Sequence, residues 1–68
     1  MTLKLAQKIA REHGMSIRKM PAGDYRVNVK GDPESHACYE ATVGDALDTA
    51  RAMFENKHRG LKHYWVVR

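Results

Sequence analysis

Between Val43 and Phe54 the apolar residues Val43, Ala46, Leu47, Ala50, Met53 and Phe54 recur at helical intervals. At 100° per residue they fall on an arc of about 120°, the single apolar face of an amphipathic helix. Thr42-Val43-Gly44-Asp45 supplies the start signal, a hydroxyl and a carboxylate that satisfy backbone N–H groups left free at a helix N-terminus. Burying the four larger side chains of this face contributes about 6 to 12 kcal/mol as an upper figure. A chain of 68 residues buries only about 60% of the surface it exposes when unfolded. One helical face therefore decides whether the chain folds, and it needs a second layer to cover it.

The rest of the sequence predicts that layer. Over residues 2–13, Leu3, Leu5, Ala6, Ile9 and Ala10 gather on one side of a helix, with Lys4, Lys8 and Arg11 opposite. Gly14 offers the left-handed residue that commonly ends a helix. Met15 and Ile17 then alternate with Ser16 and Arg18, and Tyr25, Val27 and Val29 with Arg26, Asn28 and Lys30. The turn chemistry of Pro21-Ala22-Gly23-Asp24 between them makes a hairpin. Residues 31–35, rich in Gly, Pro and acid, form a second loop, and residues 36–41 a third strand. The Tyr64-Trp65-Val66-Val67 run has high β propensity and favours a fourth strand, with Leu61, His63, Trp65 and Val67 on one face, over the competing reading of a flexible tail. The expected fold class is α+β: a single domain ordered α-β-β-β-α, two helices on one face of an antiparallel sheet. Residues 1–56 form its core and residues 57–68 a basic, aromatic C-terminal segment.

Three resemblances bear on this order. The helix, three antiparallel strands and second helix are similar in topology to the double-stranded RNA-binding domain. That family makes its contacts through a Gly-Pro-x-His loop and a Lys-rich start to the second helix. Here the loop is residues 21–24 and the second helix opens with Asp45 and Asp48, so none of the family's contact residues is carried over. The stretch Ala10-Arg11-Glu12-His13-Gly14-Met15-Ser16, with Met20 beyond, resembles a helix-turn-helix whose recognition helix would cover residues 16–24. Pro21 inside that helix would cost about 3 kcal/mol, which favours the hairpin. Finally, Tyr25-Arg26-Val27-Asn28, Tyr39, Asp45-Ala46-Leu47 and Thr49-Ala50-Arg51-Ala52-Met53 resemble a pattern in small bacteriophage and prophage proteins of unassigned function. This resemblance implies a phage or bacterial origin and an α-β-β-β-α fold. Inhibitors of host defence complexes, such as anti-CRISPR proteins, are one class among small phage proteins.

Composition removes several classes of function. No apolar run approaches the roughly 20 residues of a membrane span, and no signal-peptide pattern is present, which points to a cytoplasmic protein without membrane partners. One cysteine excludes an internal disulfide framework. His36 and Cys38 lie two apart, and His58 and His63 could join them around an ion. Strand alternation places any such pair on one face, however, and His13 sits on the apolar side of its helix, so neither metal nor cofactor is expected. No phosphate loop or nucleophile elbow occurs, and so small a domain encloses a reaction cleft with difficulty, so no enzyme activity is expected.

Charge remains the informative feature. The net charge is +4, yet residues 1–56 hold eight Lys and Arg against eight Asp and Glu. Lys57, Arg59, Lys62 and Arg68 supply the whole excess. Strand alternation puts Arg18, Arg26 and Lys30 on the uncovered sheet face, and a joined fourth strand would add Lys62, Tyr64 and Arg68. Cations spaced for phosphates beside a stacking tyrosine describe a nucleic-acid platform. The expectation is a small non-enzymatic binding module that engages nucleic acid, or a complex bound to it, through Arg18, Arg26, Lys30, Lys57, Arg59, Lys62, Tyr64 and Arg68. The alternative is a protein-binding inhibitor or accessory factor that uses Trp65, or the acidic side of the second helix at Asp45, Asp48 and Glu55. An unpaired Trp-Val-Val edge would also serve a homodimer through the C-terminal strand.

Overall fold

A computed structural model describes residues 1–67 of the chain. Helix α1 (Leu3–Glu12) starts where the Thr2 hydroxyl accepts a hydrogen bond from the Leu5 N–H at 3.2 Å. It ends before Gly14, whose φ of +71° is the left-handed conformation that only glycine adopts without strain. Strands β1 (Met15–Lys19) and β2 (Tyr25–Val29) follow as an antiparallel hairpin. Its turn is closed by the Met20 N–H donating to the Asp24 carbonyl at 2.8 Å and the Gly23 N–H to the Met20 carbonyl at 2.9 Å. Residues 16–24 are therefore hairpin and not a recognition helix.

The register pairs Met15 with Val29, Ile17 with Val27 and Lys19 with Tyr25. These alternate residues face the helices, while Ser16, Arg18, Arg26 and Asn28 face the other way. Strand β3 (Cys38–Glu40) pairs with β2 in the order β1-β2-β3, setting Cys38 beside Val27 and Tyr39 beside Arg26. The predicted strand over residues 36–41 is shorter because Glu34–His36 form a turn of 3₁₀ helix before it.

Helix α2 (Val43–His58) lies on the same face as α1 and touches all three strands. Its Ala46, Leu47, Ala50 and Met53 are buried, together with Ala6, Ala10, Met15, Ile17, Val27 and Val29. The Thr42 hydroxyl accepts from the Asp45 N–H at 3.0 Å, as its position before the apolar face predicts. Thr42→Ala is expected to cost about 1 kcal/mol. In a domain of this size that lowers the melting temperature by roughly 4 to 8 °C, and Thr42→Ser should restore most of it in a thermal melt.

The C-terminal run departs from expectation. Residues 61–67 make turns and irregular chain, not a fourth strand. Leu61 and His63 are exposed while Tyr64, Trp65 and Val67 are half-buried, so the alternation of a strand is absent. The physical reason lies in the partners of its carbonyls. The Tyr64 carbonyl accepts from the Asn56 side chain at 3.3 Å and the Trp65 carbonyl from the Cys38 thiol at 3.2 Å. Side chains, rather than a neighbouring backbone, take the place of a ladder, and the His63 carbonyl accepts from the Val66 N–H in a local turn. Among the described residues no helix is long and apolar enough to cross a membrane.

Candidate nucleic-acid interface

The uncovered face of the sheet is less open than alternation implies. Asn28 points to that face yet is only 1% exposed. Residues 31–36 fold back over it, and its side-chain amide donates to the Pro33 carbonyl at 3.1 Å, while its oxygen accepts from the Val29 N–H at 2.9 Å. The same loop brings Glu34 to Arg26, whose guanidinium lies 2.9 Å from the carboxylate, and the Tyr39 hydroxyl donates to that carboxylate as well. These hydrogen bonds, from Arg26 first and Tyr39 second, hold the Glu34 carboxyl below its ordinary value. The same bonds push Arg26 and Tyr39 up. Arg26 is thus neutralised locally, with a side chain only 15% exposed. It is a poor phosphate ligand despite its place on the face.

Tyr64 is also occupied elsewhere. Its hydroxyl donates to Asp32, which takes a second hydrogen bond from the His36 ring at 3.0 Å. Burial works to raise the Asp32 carboxyl, but the bonds from Tyr64 and His36, with the nearby charge of Lys57, leave it below its ordinary value. The bond to Asp32 in turn raises the Tyr64 phenol. Lys57 stands over the Tyr64 ring at 5.1 Å, and Trp65 stacks on His36 at 3.5 Å between ring centres. The tyrosine and tryptophan therefore bind the C-terminal segment to the domain and are not free platforms. Asp45 and Asp48 line a shallow groove with Val67, whereas Glu55 lines a different one with Arg51. Arg59 and Lys62 are exposed just beyond α2, and Arg68 lies outside the described residues.

Arg18 and Lys30 remain exposed, and the structure gives Lys30 company that strand alternation alone does not reveal. A groove of about 300 Å³ runs along the open edge of β1, with Gln7 and Arg11 of α1 on one side and Ser16 and Lys30 on the other. The Gln7 amide donates to the edge carbonyl of Ile17 at 3.0 Å, which ties α1 to that edge. The Lys30 N–H donates to the Gly14 carbonyl at 2.9 Å and fixes the other end. The groove's lining cations are Arg11 and Lys30, both exposed; Lys4 and Lys8 are exposed elsewhere on α1, Arg18 on the outer face of β1, and Lys19 stands over the Tyr25 ring at 5.9 Å. Among the described residues the ion pairs are Arg26 with Glu34 and His36 with Asp32, so neither Arg11 nor Lys30 is ion-paired, whereas the charge of Arg18 helps to lower the Glu34 carboxyl. Arg11 is the cation lining the groove that sequence reasoning left out of the interface. Its signal was present in the Lys4, Lys8, Arg11 stripe, but only the packing of α1 beside β1 joins that stripe to the sheet. A further groove places Lys57 near Gly14 and Val29 at the same end of the domain.

Among the described residues no group of three or more His, Cys, Asp or Glu side chains stands close enough to hold a metal ion. His36 and Cys38 belong to different elements, the 3₁₀ turn and β3, and Cys38 donates to a backbone carbonyl. Comparison of the chain with protein-family models, curated proteins and solved structures finds no match.

Proposed function

We propose that the protein is a non-enzymatic binding module that holds a nucleic-acid backbone along the open edge of β1, in keeping with the phage or prophage type that its sequence resembles. The observation that supports this reading is the groove between Arg11 and Lys30, two exposed cations that form no ion pair among the described residues. Clustered positive charge without counter-ions raises the local concentration of polyanions and neutralises phosphates on contact. Ser16 and Gln7 line the groove as well, but the Ser16 hydroxyl donates to the Asn28 carbonyl at 3.4 Å and the Gln7 amide to that of Ile17, so the two cations carry the phosphate contacts.

Fluorescence anisotropy with labelled single- and double-stranded DNA and RNA tests it. With about two phosphates neutralised, single-strand affinity should fall roughly sevenfold between about 50 and 200 mM salt. Arg11→Glu combined with Lys30→Glu should weaken binding by roughly 100-fold at low salt, whereas Arg26→Gln should change it by less than about threefold. Absence of binding to all four probes at low salt, or equal loss from the Arg26 variant, would sink the reading.

A further inference from the structure

At the end of the domain where Lys30 bonds backbone to backbone with Gly14, the edge groove adjoins a second one that the phosphate contacts leave unused. This second groove measures about 490 Å³ and runs from Gly14 and Met15 past Val29 to Phe54, Lys57 and His58 near the end of α2. Met15 lines both grooves, and Val29 is the residue before Lys30, so the two meet at this corner. No carboxylate lines the second groove. Lys57 forms no ion pair among the described residues, although its charge also reaches Asp32. The walls are aromatic. Phe54 is 36% exposed although it belongs to the apolar arc of α2. Its ring meets His13 edge-on with 4.9 Å between centres and lies nearly parallel to the exposed His58 ring at 6.0 Å. His13 is held in turn, its Nδ1–H donating to the Ile9 carbonyl at 2.9 Å.

We infer that this groove receives an unpaired nucleobase from a single strand whose phosphates lie against Arg11 and Lys30, an inference that rests on the function proposed above. The groove asks two things of its occupant. A flat group with an apolar face is needed to cover the exposed Phe54 ring, and negative charge is needed close by to meet Lys30 on one side and Lys57 on the other. A nucleotide supplies both in one unit, a base with a π-face and a phosphate a few ångströms from it. A neutral apolar segment would cover the ring and leave the two lysines without a counter-charge. A duplex would meet the lysines, but its bases are stacked and paired and have no face to offer Phe54. The substrate class is therefore narrowed from nucleic acid in general to a single strand. Stacking on an aromatic ring tolerates any base, because every base has such a face, so strong sequence preference is not expected. Phe54 and His58 stand one turn apart on α2 with their rings nearly parallel, which gives the base an aromatic platform on a rigid element.

Fluorescence anisotropy of the wild-type chain with three probes of equal length provides the test: a single-stranded DNA, the same strand with abasic sites throughout, and the duplex. The base-bearing single strand should bind about tenfold more tightly than the abasic one, and the duplex no more tightly than the abasic strand. Phe54→Ala, with circular dichroism to establish folding, should lose that tenfold advantage while leaving abasic binding and the salt dependence of affinity unchanged, because no cation is removed. Phe54→Trp should keep the advantage. A 2-aminopurine placed in the single strand should be quenched on binding to the wild type and not on binding to Phe54→Ala. If the wild type binds the abasic strand as tightly as the base-bearing one, or prefers the duplex, the inference is overturned while binding along the β1 edge stands. A folded Phe54→Ala variant that keeps the full advantage of bases over abasic sites overturns it as well. Failure to bind any of the three probes at low salt overturns both, so the two readings fail in different ways.

Discussion

Met53→Ala is expected to lower stability by about 2 to 5 kcal/mol, enough to leave much of the population unfolded. A 68-residue domain of ordinary stability holds about 3 to 10 kcal/mol in all. Met53 is fully buried and heads the largest side chains that are. The buried cluster it belongs to is poorly able to close the hole: Ala6, Ala10, Ala46 and Ala50 make up four of its ten residues, and an alanine has no side chain to move into a gap. The lost transfer energy is then joined by the full cavity term. Met53→Leu, close in volume, should cost less than about 1.5 kcal/mol. Urea denaturation followed by circular dichroism measures both. An alanine variant within about 0.5 kcal/mol of wild type would mean that the apolar face of α2 does not hold the domain together.

That face was legible in the sequence because it is local. Thr42, the spacing from Val43 to Met53, and the alternation around Pro21 and Gly23 each settle a helix or a hairpin from neighbours a few residues away. Side chains whose fate depends on distant chain were not legible. Alternation sends Asn28 and Arg26 to the outer face correctly, but the loop that buries one and neutralises the other comes from residues 31–36. Phe54 lies on the apolar arc, yet α1 stops at Glu12 and leaves His13, a capping residue, as its cover. The β propensity of residues 64–67 is real, but it loses to contacts with Asp32, His36 and Cys38, about thirty positions earlier in the chain. The candidate interface divides the same way. Lys30 follows from strand parity, whereas Arg11 joins it only through the packing of one element on another.

Those distant contacts make the C-terminal segment an acid-sensitive strap, and acid is expected to release it before the rest of the domain melts. Asp32 is the anchor, taking hydrogen bonds from Tyr64 and His36 with Lys57 close by. Its carboxyl lies below its ordinary value in the folded protein, so folding favours the ionised form. The stabilisation is therefore complete above the unfolded value near pH 4 and is lost as pH falls through the lower, folded one. Trp65 is the sole tryptophan and stacks on His36, so its fluorescence reports the strap alone. Titration below about pH 4 should shift the Trp65 emission to longer wavelength while the helical circular dichroism of α1 and α2 persists to lower pH. Asp32→Ala removes the anchor at every pH, should cost about 2 kcal/mol at neutrality, and should show the red-shifted emission there without an acid step. Emission that moves only together with loss of helix, in wild type and variant alike, would show that the segment is part of the cooperative core and that Asp32 does not govern it.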